Sequence, residues 1–203
     1  MLLALLGLVT TTLVINEVCY DPDGADDGAE FVELWNAGPD TVRLTGLVLE
    51  FANGADAPPD WRAQWRADGT VVVAPSAPFL VVDRGWTGEP GHAEASLNLQ
   101  NGPDALRLVA DGSVLDLVGW GDLDDAAMWE GRPAPDVSGE VLARRPDGHD
   151  SDDNAADFVA AAATPGRPNW RTFAPAVTSI AWLPPSLERA GEPCAATVEV
   201  ANE

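Results

Sequence analysis

Hydrophobic and polar positions alternate with a period of two in a series of short runs. In LVINEVCY (13–20), Val14, Asn16, Val18 and Tyr20 share one face, and Leu13, Ile15, Glu17 and Cys19 the other. In EFVELWN (30–36), Phe31, Glu33 and Trp35 oppose Val32 and Leu34. VRLTGLVLEF (42–51) sets Val42, Leu44, Gly46 and Val48 against Arg43, Thr45, Leu47 and Leu49. Further runs lie at 70–75, 78–83, 96–101, 105–110, 113–120 and 140–145. Each is predicted to be a strand, because successive side chains on a strand point to opposite faces. Clusters such as NAGPD, FANG, ADGT, NGPD and GRPAPD separate them and supply turn chemistry. Asp111-Gly112, between two β-rich runs, predicts a tight hairpin. Helix is expected only around Trp61–Ala67 and Asp153–Ala162. The pattern therefore predicts an all-β fold, an antiparallel sandwich over residues 13–170. Phe31, Leu34, Trp35, Leu44, Leu80, Leu108, Leu115, Val118 and Trp120 are the expected core.

The two ends read differently. Leu2–Val9 is an apolar run, too short to span a bilayer and long enough for the hydrophobic part of a secretory signal over 1–12. It lacks a basic start and an A-x-A cleavage site, so a competing reading makes it part of the first strand. TPGRPNWRTFAP (164–175) is an extended, proline-rich linker. Beyond it, 177–183 and 195–202 read as the first two strands of a second β-sandwich. Two strands cannot bury a core alone, so residues 171–203 are expected to be the truncated start of a further module.

Composition narrows the function. The 33 acidic residues against 11 basic ones give a net charge of -22, and every basic residue is Arg. Such a field repels phosphate backbones and anionic lipid surfaces, so neither nucleic acid nor a membrane is an expected partner. Cys19 and Cys194 are the only cysteines and lie near opposite ends of the chain, and a bridge between them is disfavoured. No Cys/His cluster exists for zinc.

Taken in order, the strands resemble a known family. Ile15-Asn16-Glu17-Val18, then Glu30-Phe31-Val32-Glu33-Leu34-Trp35-Asn36, then Val42-Arg43-Leu44-Thr45-Gly46 are similar to the opening of the bacterial lamin tail domain, an Ig-like module. LNLQNGPDALRLVADGSVLDLVGWG (97–121) and DGHDSDDNAADF…TPGRPN (147–169) resemble its later segments. Leu47 stands where the family often has Trp, and APPDWRAQW (57–65) reads as an inserted loop. The tail resembles the first strands of adhesion-type Ig-like modules. The resemblance implies a secreted or cell-surface, non-catalytic module that binds a protein or surface component. The alternative is an accessory module of an exported nuclease or hydrolase.

Candidate chemistry is sparse. No nucleophile motif is present, and His92 and His149 sit in loops without a Ser or Cys partner. Carboxylates are dense in DPDGADDGAE (21–30) and DGHDSDDNAAD (147–157). Crowded carboxylates repel one another unless a cation screens them, and calcium takes its oxygens from such loops. Asp150, Asp152, Asn154 and Asp157, with Asp21, Asp23 and Asp26, are the candidate calcium donors, and the family resemblance, which sets the two loops at the ends of the sandwich, implies that they can meet and share an ion. Asp150-x-Asp152-x-Asn154 mimics an EF-hand start, but Ala155 replaces the required Gly and Ala161 the closing Glu, so an EF-hand is excluded. The competing reading makes these loops turns and helix caps. Trp61 and Trp65, flanked by Arg62 and Arg66, suggest an aromatic platform for sugar or peptide, against a simple flap over the sandwich. Glu17 and Glu33 are expected on the solvent face; a buried one would need an arginine such as Arg43 or Arg107.

Overall fold

The computed structural model describes residues 12–169. The predicted leader and the predicted strands after residue 170 lie outside the described residues. Twelve strands dominate: β1 (Leu13–Cys19), β2 (Phe31–Asn36), β3 (Val42–Arg43), β4 (Leu47–Asn53), β5 (Arg62–Arg66), β6 (Val72–Val73), β7 (Pro78–Asp83), β8 (Ala93–Ala95), β9 (Asp104–Ala110), β10 (Ser113–Trp120), β11 (Val141–Arg144) and β12 (Phe158–Ala161). A 3-10 turn at Ala126–Met128 and the one-turn helix α1 (Asn154–Asp157) complete the fold. A six-stranded sheet runs β12-β11-β1-β2-β7-β8, a four-stranded sheet β10-β9-β4-β5, and β3 pairs with β6. All pairings are antiparallel except β7–β8. Among the described residues no helix is long and apolar enough to cross a membrane.

The core follows from the alternation. Ile15, Val18, Val32, Leu34, Phe79, Val81 and Leu142 of the six-stranded sheet join Leu49, Phe51, Trp65, Leu106, Leu108, Val118 and Trp120 of the other in one buried cluster. Trp120 stacks on Tyr20 at 4.6 Å, and its indole N–H donates to the Gly102 carbonyl. The Tyr20 hydroxyl donates to Asp136 and accepts from the Val137 N–H, pinning the loop before β11. Leu115 is only partly buried. Phe31 and Leu80 are buried on the outer face of the six-stranded sheet, in a second cluster beneath Trp86.

Several predicted elements change character. The run 42–51 is two strands, because the chain turns at Leu44–Gly46, where the Leu47 N–H bonds back to Leu44 and Gly46 takes φ +82°. The helix expected at Trp61–Ala67 is β5, held in the sheet by β4. That expected at Asp153–Ala162 stops after α1 and turns into β12, whose pairing with β11 outweighs alanine's helix propensity. Residues 96–101 form no strand; the Leu97 and Leu99 N–H groups donate instead to the carboxylates of Asp83 and Glu30. Asp111-Gly112 turns as expected, with φ of 50° and 77°.

In β1 the register slips between Ile15 and Glu17. This bulge inserts Asn16 and reverses the face assignment beyond it. Ile15 and Val18 therefore both point inward, while Asn16, Glu17 and Cys19 belong to the outer face. Glu33 is directly opposite Glu17.

Candidate functional site

Two buried polar clusters dominate this end of the domain. The first centres on Arg144, whose side chain is fully buried. Leu142 and Arg144 share a face of β11, so the guanidinium enters the space between the sheets. There it donates from Nη2 to both oxygens of Asp116, at 3.0 and 2.9 Å. Nη1 reaches Asp157 at 3.1 Å, Asp150 at 3.3 Å and the His149 carbonyl at 2.8 Å; Nε donates to the Ile15 carbonyl. The Phe158 ring lies beneath it at 4.5 Å. Asp116 also accepts from the Ile15 N–H. Burial pushes the Asp116 carboxyl up, opposed by the Arg144 charge.

The second cluster lies on the outer face of the six-stranded sheet. Glu17 and Glu33 are both 0% exposed, contrary to the expectation of solvent-facing strand residues. They do lie on the face away from the inter-sheet core, but residues 164–169 cover that face. Nor is an arginine their partner: Arg107 pairs with Glu50, and no described ion pair involves Glu17 or Glu33. Neutral donors serve instead. Glu17 accepts from the Thr164 N–H at 2.7 Å and hydroxyl at 3.2 Å; Glu33 accepts from the Gly166 N–H at 2.8 Å and the Asn16 amide at 3.0 Å. Asp147 accepts from the Asn16 amide and the Asn169 N–H. The Asn169 amide donates to the Asn16 and Arg144 carbonyls, tying the two clusters together. Burial raises Glu17 to about 7 and Glu33 to about 8, reinforced by the neighbouring acids.

The expected calcium donors are not gathered as predicted. Asp150 sits against Arg144. The Asn154 amide is occupied in the fold: its oxygen accepts from the Gly119 and Glu130 N–H groups, and its nitrogen donates to the Leu117 carbonyl. Asp157 is spent on Arg144 and on the Ser151 N–H and hydroxyl. Asp152 is exposed, with φ 55°. In the first loop, the Asp21 carbonyl accepts from the Gly139 N–H, the Asp23 carboxylate lies beside Gly139, and the Asp26 carbonyl accepts from the Ala29 N–H. Among the described residues, the one carboxylate group compact enough for a cation is Asp116, Glu130 and Asp150, with oxygens within 4.8 Å of one another. It retains Asp150 and draws its other two members from outside both predicted loops. Glu130 is raised to about 8 by burial and by Asp116, Asp150 and Asp152.

Trp61 and Trp65 do not form a joint platform. Trp65 is buried in the inter-sheet core, 5.3 Å from Phe79. Trp61 packs with the cluster on the opposite face of the four-stranded sheet, where Arg107 stacks on it at 4.2 Å. The flap reading fails equally, since both belong to or flank β5. His92 accepts the Leu80 N–H through Nδ1 and stacks on Phe79; the His149 ring is exposed and 3.8 Å from Asp157. Cys19 is a buried free thiol that burial pushes up to about 12.

Arg144, Asp116, Glu130, Asn16 and Asn169 were not anticipated. For two of them the alternation carried a signal. Asp116 falls in step with Val118 and Trp120, and Arg144 with Leu142, so each puts a charge at a core-facing position, and the signs are opposite.

The fold and these clusters define a class: a mainly antiparallel β-module of two larger sheets and one two-stranded sheet, whose buried charged side chains are bound to its own backbone and to one another. The family model for the lamin tail domain matches residues 9–122, and the chain belongs to that family. The match includes Glu17, Glu33 and Asp116 but ends before Arg144 and the covering segment. The structure is also similar to the crystal structure of a DUF4876 family protein from Bacteroides thetaiotaomicron VPI-5482. The TM-score is 0.50 at 11% identity, covering 76% of this chain and 72% of that one, a likeness of fold alone. No curated protein matches the sequence.

Proposed function

We propose that the chain is a non-enzymatic structural or binding module of the lamin tail type, exported and displayed outside the cell or on its surface. In this reading the fold is an Ig-like sandwich, residues 1–12 are a leader, and residues 171–203 begin a second, adhesion-type module. The partner is a protein or cell-surface component. The charge of -22 opposes nucleic acid. One observation carries the reading. The acidic side chains that could serve as acid, base or nucleophile at the two buried clusters are engaged by backbone N–H groups, Asn side chains or Arg144. A carboxylate already saturated with structural donors is poorly placed to exchange protons with a substrate.

The reading assigns no required cofactor. Calcium is an optional ligand; the carboxylate oxygens of Asp116, Glu130 and Asp150 lie within 4.8 Å of one another, and a cation there would share Asp116 and Asp150 with Arg144. The test is an activity panel on the purified chain against nuclease, glycosidase, esterase and protease substrates, where no turnover is expected. Turnover that survives repurification and disappears with one substitution in this chain would overturn the proposal in favour of a catalytic role. Cell fractionation with N-terminal mass analysis tests export: mature protein outside the cell is expected, and cytosolic protein with an intact Met1 contradicts it.

A further inference from the structure

The segment Thr164–Asn169, through which the chain leaves the domain, is held by an unusual grip. Its backbone N–H groups at Thr164, Gly166 and Asn169 all donate to carboxylates: Glu17 at 2.7 Å, Glu33 at 2.8 Å and Asp147 at 2.9 Å. The two glutamates are cross-strand neighbours, fully buried, with no arginine in ion-pair contact. We propose that Glu17 and Glu33 are a pH-operated latch: while they share at least one proton they hold the 164–169 strap against the sheet, and when both are ionised the strap is released.

The hydrogen-bond pattern fits a protonated state. The Thr164 hydroxyl also lies 3.1 Å from Asn169 Oδ1. When Glu17 is protonated, the hydroxyl can accept a hydrogen bond from its carboxyl O–H and donate its own hydrogen to Asn169 Oδ1, leaving no partner unsatisfied. Ionisation strengthens each N–H bond taken singly. It also places two like charges side by side in a fully buried pair, near the partly buried Asp147, and that penalty grows with burial. Release of the strap restores water to both glutamates.

No described ion pair joins the other groups near the latch to Glu17 or Glu33. Cys19 on β1 is a neutral thiol at these pH values. Arg144 presents only its carbonyl to the strap, its guanidinium being committed between the sheets. Arg145, just past β11, gives its backbone N–H to the Asp157 carbonyl. Arg167 on the strap pairs outward with Glu89 at 2.7 Å, as an exposed contact. Burial raises both glutamates from the usual carboxylate range, which places release in mildly alkaline solution.

Hydrogen–deuterium exchange of the full chain, corrected for intrinsic rate, tests this at pH 5.5 and 9.5. Protection of the Thr164 and Gly166 amides is expected to fall at least tenfold between the two, while that of the β4–β9 amides falls less. In the Glu17→Gln/Glu33→Gln variant, whose amides mimic the protonated acids, strap protection should be the same at both pH values. Equal protection of the wild-type strap at both pH values, or the same loss in the Gln variant, overturns the latch. Should the variant not fold, carboxyl carbon shifts of the wild-type protein decide. Titration of at least one glutamate above pH 6.5 supports the proposal, and titration of both near pH 4.5 refutes it.

Discussion

The Arg144 cluster, on the inner side of the six-stranded sheet, and the Glu17–Glu33 pair, on its outer face, bury carboxylates by opposite means. Around Arg144, one guanidinium takes Asp116, Asp157 and Asp150, so each buried carboxylate has a cation beside it. Across β1 and β2, two glutamates are buried beneath a strap with only neutral donors around them. A buried ion pair is strongly harmed by losing one partner, because the other is left uncompensated. A buried carboxyl without a cation instead shifts towards its neutral form, so its state depends on pH. The same residue type is thus a fixed structural charge in one place and a titrating group in the other.

Breaking the first arrangement should have the largest effect. Arg144→Met leaves Asp116 and Asp157 buried without their cation and is expected to cost about 3–5 kcal/mol in urea unfolding. A cost below about 1 kcal/mol would mean that the ion pairs are not what holds this end together.

Asn154 offers a buried polar hub without charge. Its amide satisfies Gly119, Glu130 and Leu117 at once. Asn154→Ala should cost about 2–3 kcal/mol, and nearly equally at pH 6 and 9. A strong pH dependence would show that the charge of Glu130, rather than the lost bonds, sets the cost.

The second arrangement should respond with the opposite sign. Glu17 and Glu33 have folded-state pKa values raised to about 7 and about 8, so their contribution is complete below pH 4.5 and is lost as pH rises through 7–8. Glu33→Gln should be nearly neutral at pH 5.5 and on the order of 2 kcal/mol more favourable, relative to wild type, at pH 9. Thermal melts across that range read the difference. Glu30, Glu130 and Asp104 shift the same way, so part of the wild-type alkaline loss should persist in the variant.

Calcium is the smallest term. With a Kd on the order of 10⁻³ M, ten millimolar calcium stabilises by about 1.4 kcal/mol, or roughly 3–5 °C in Tm. Magnesium should do less. Asp150→Asn should remove the calcium-specific part. Equal responses to the two ions would reduce the effect to screening.

Much of the fold was legible from period-two alternation, because most strands bury one face. Strands β7 and β10 fall where the pattern placed them. Alternation cannot register a bulge, which is why Glu17 was given its face without allowance for Asn16. Nor can it see that a segment nearly 150 residues away, at Thr164–Asn169, covers a face otherwise open to water. Trp61 and Trp65 misled for the same reason as Glu17: their spacing suggested one surface, whereas a register shift in β5 between Ala63 and Trp65 sends them to opposite sides of a sheet. The acidic loops were legible as loops. Their use was not, because Asn154 is committed to partners remote in sequence and Asp157 to Arg144 and Ser151, and nothing in the run around Asp116 points to Arg144 as its mate.

The most direct test of these opposed arrangements is urea unfolding of Arg144→Met and Glu17→Gln/Glu33→Gln beside wild type at pH 5.5 and 9. The expected result is that Arg144→Met is strongly destabilised at both pH values, while the double glutamine variant gains on wild type as pH rises. A double variant that loses ground between pH 5.5 and 9, or is as unstable as Arg144→Met at pH 9, would contradict the account.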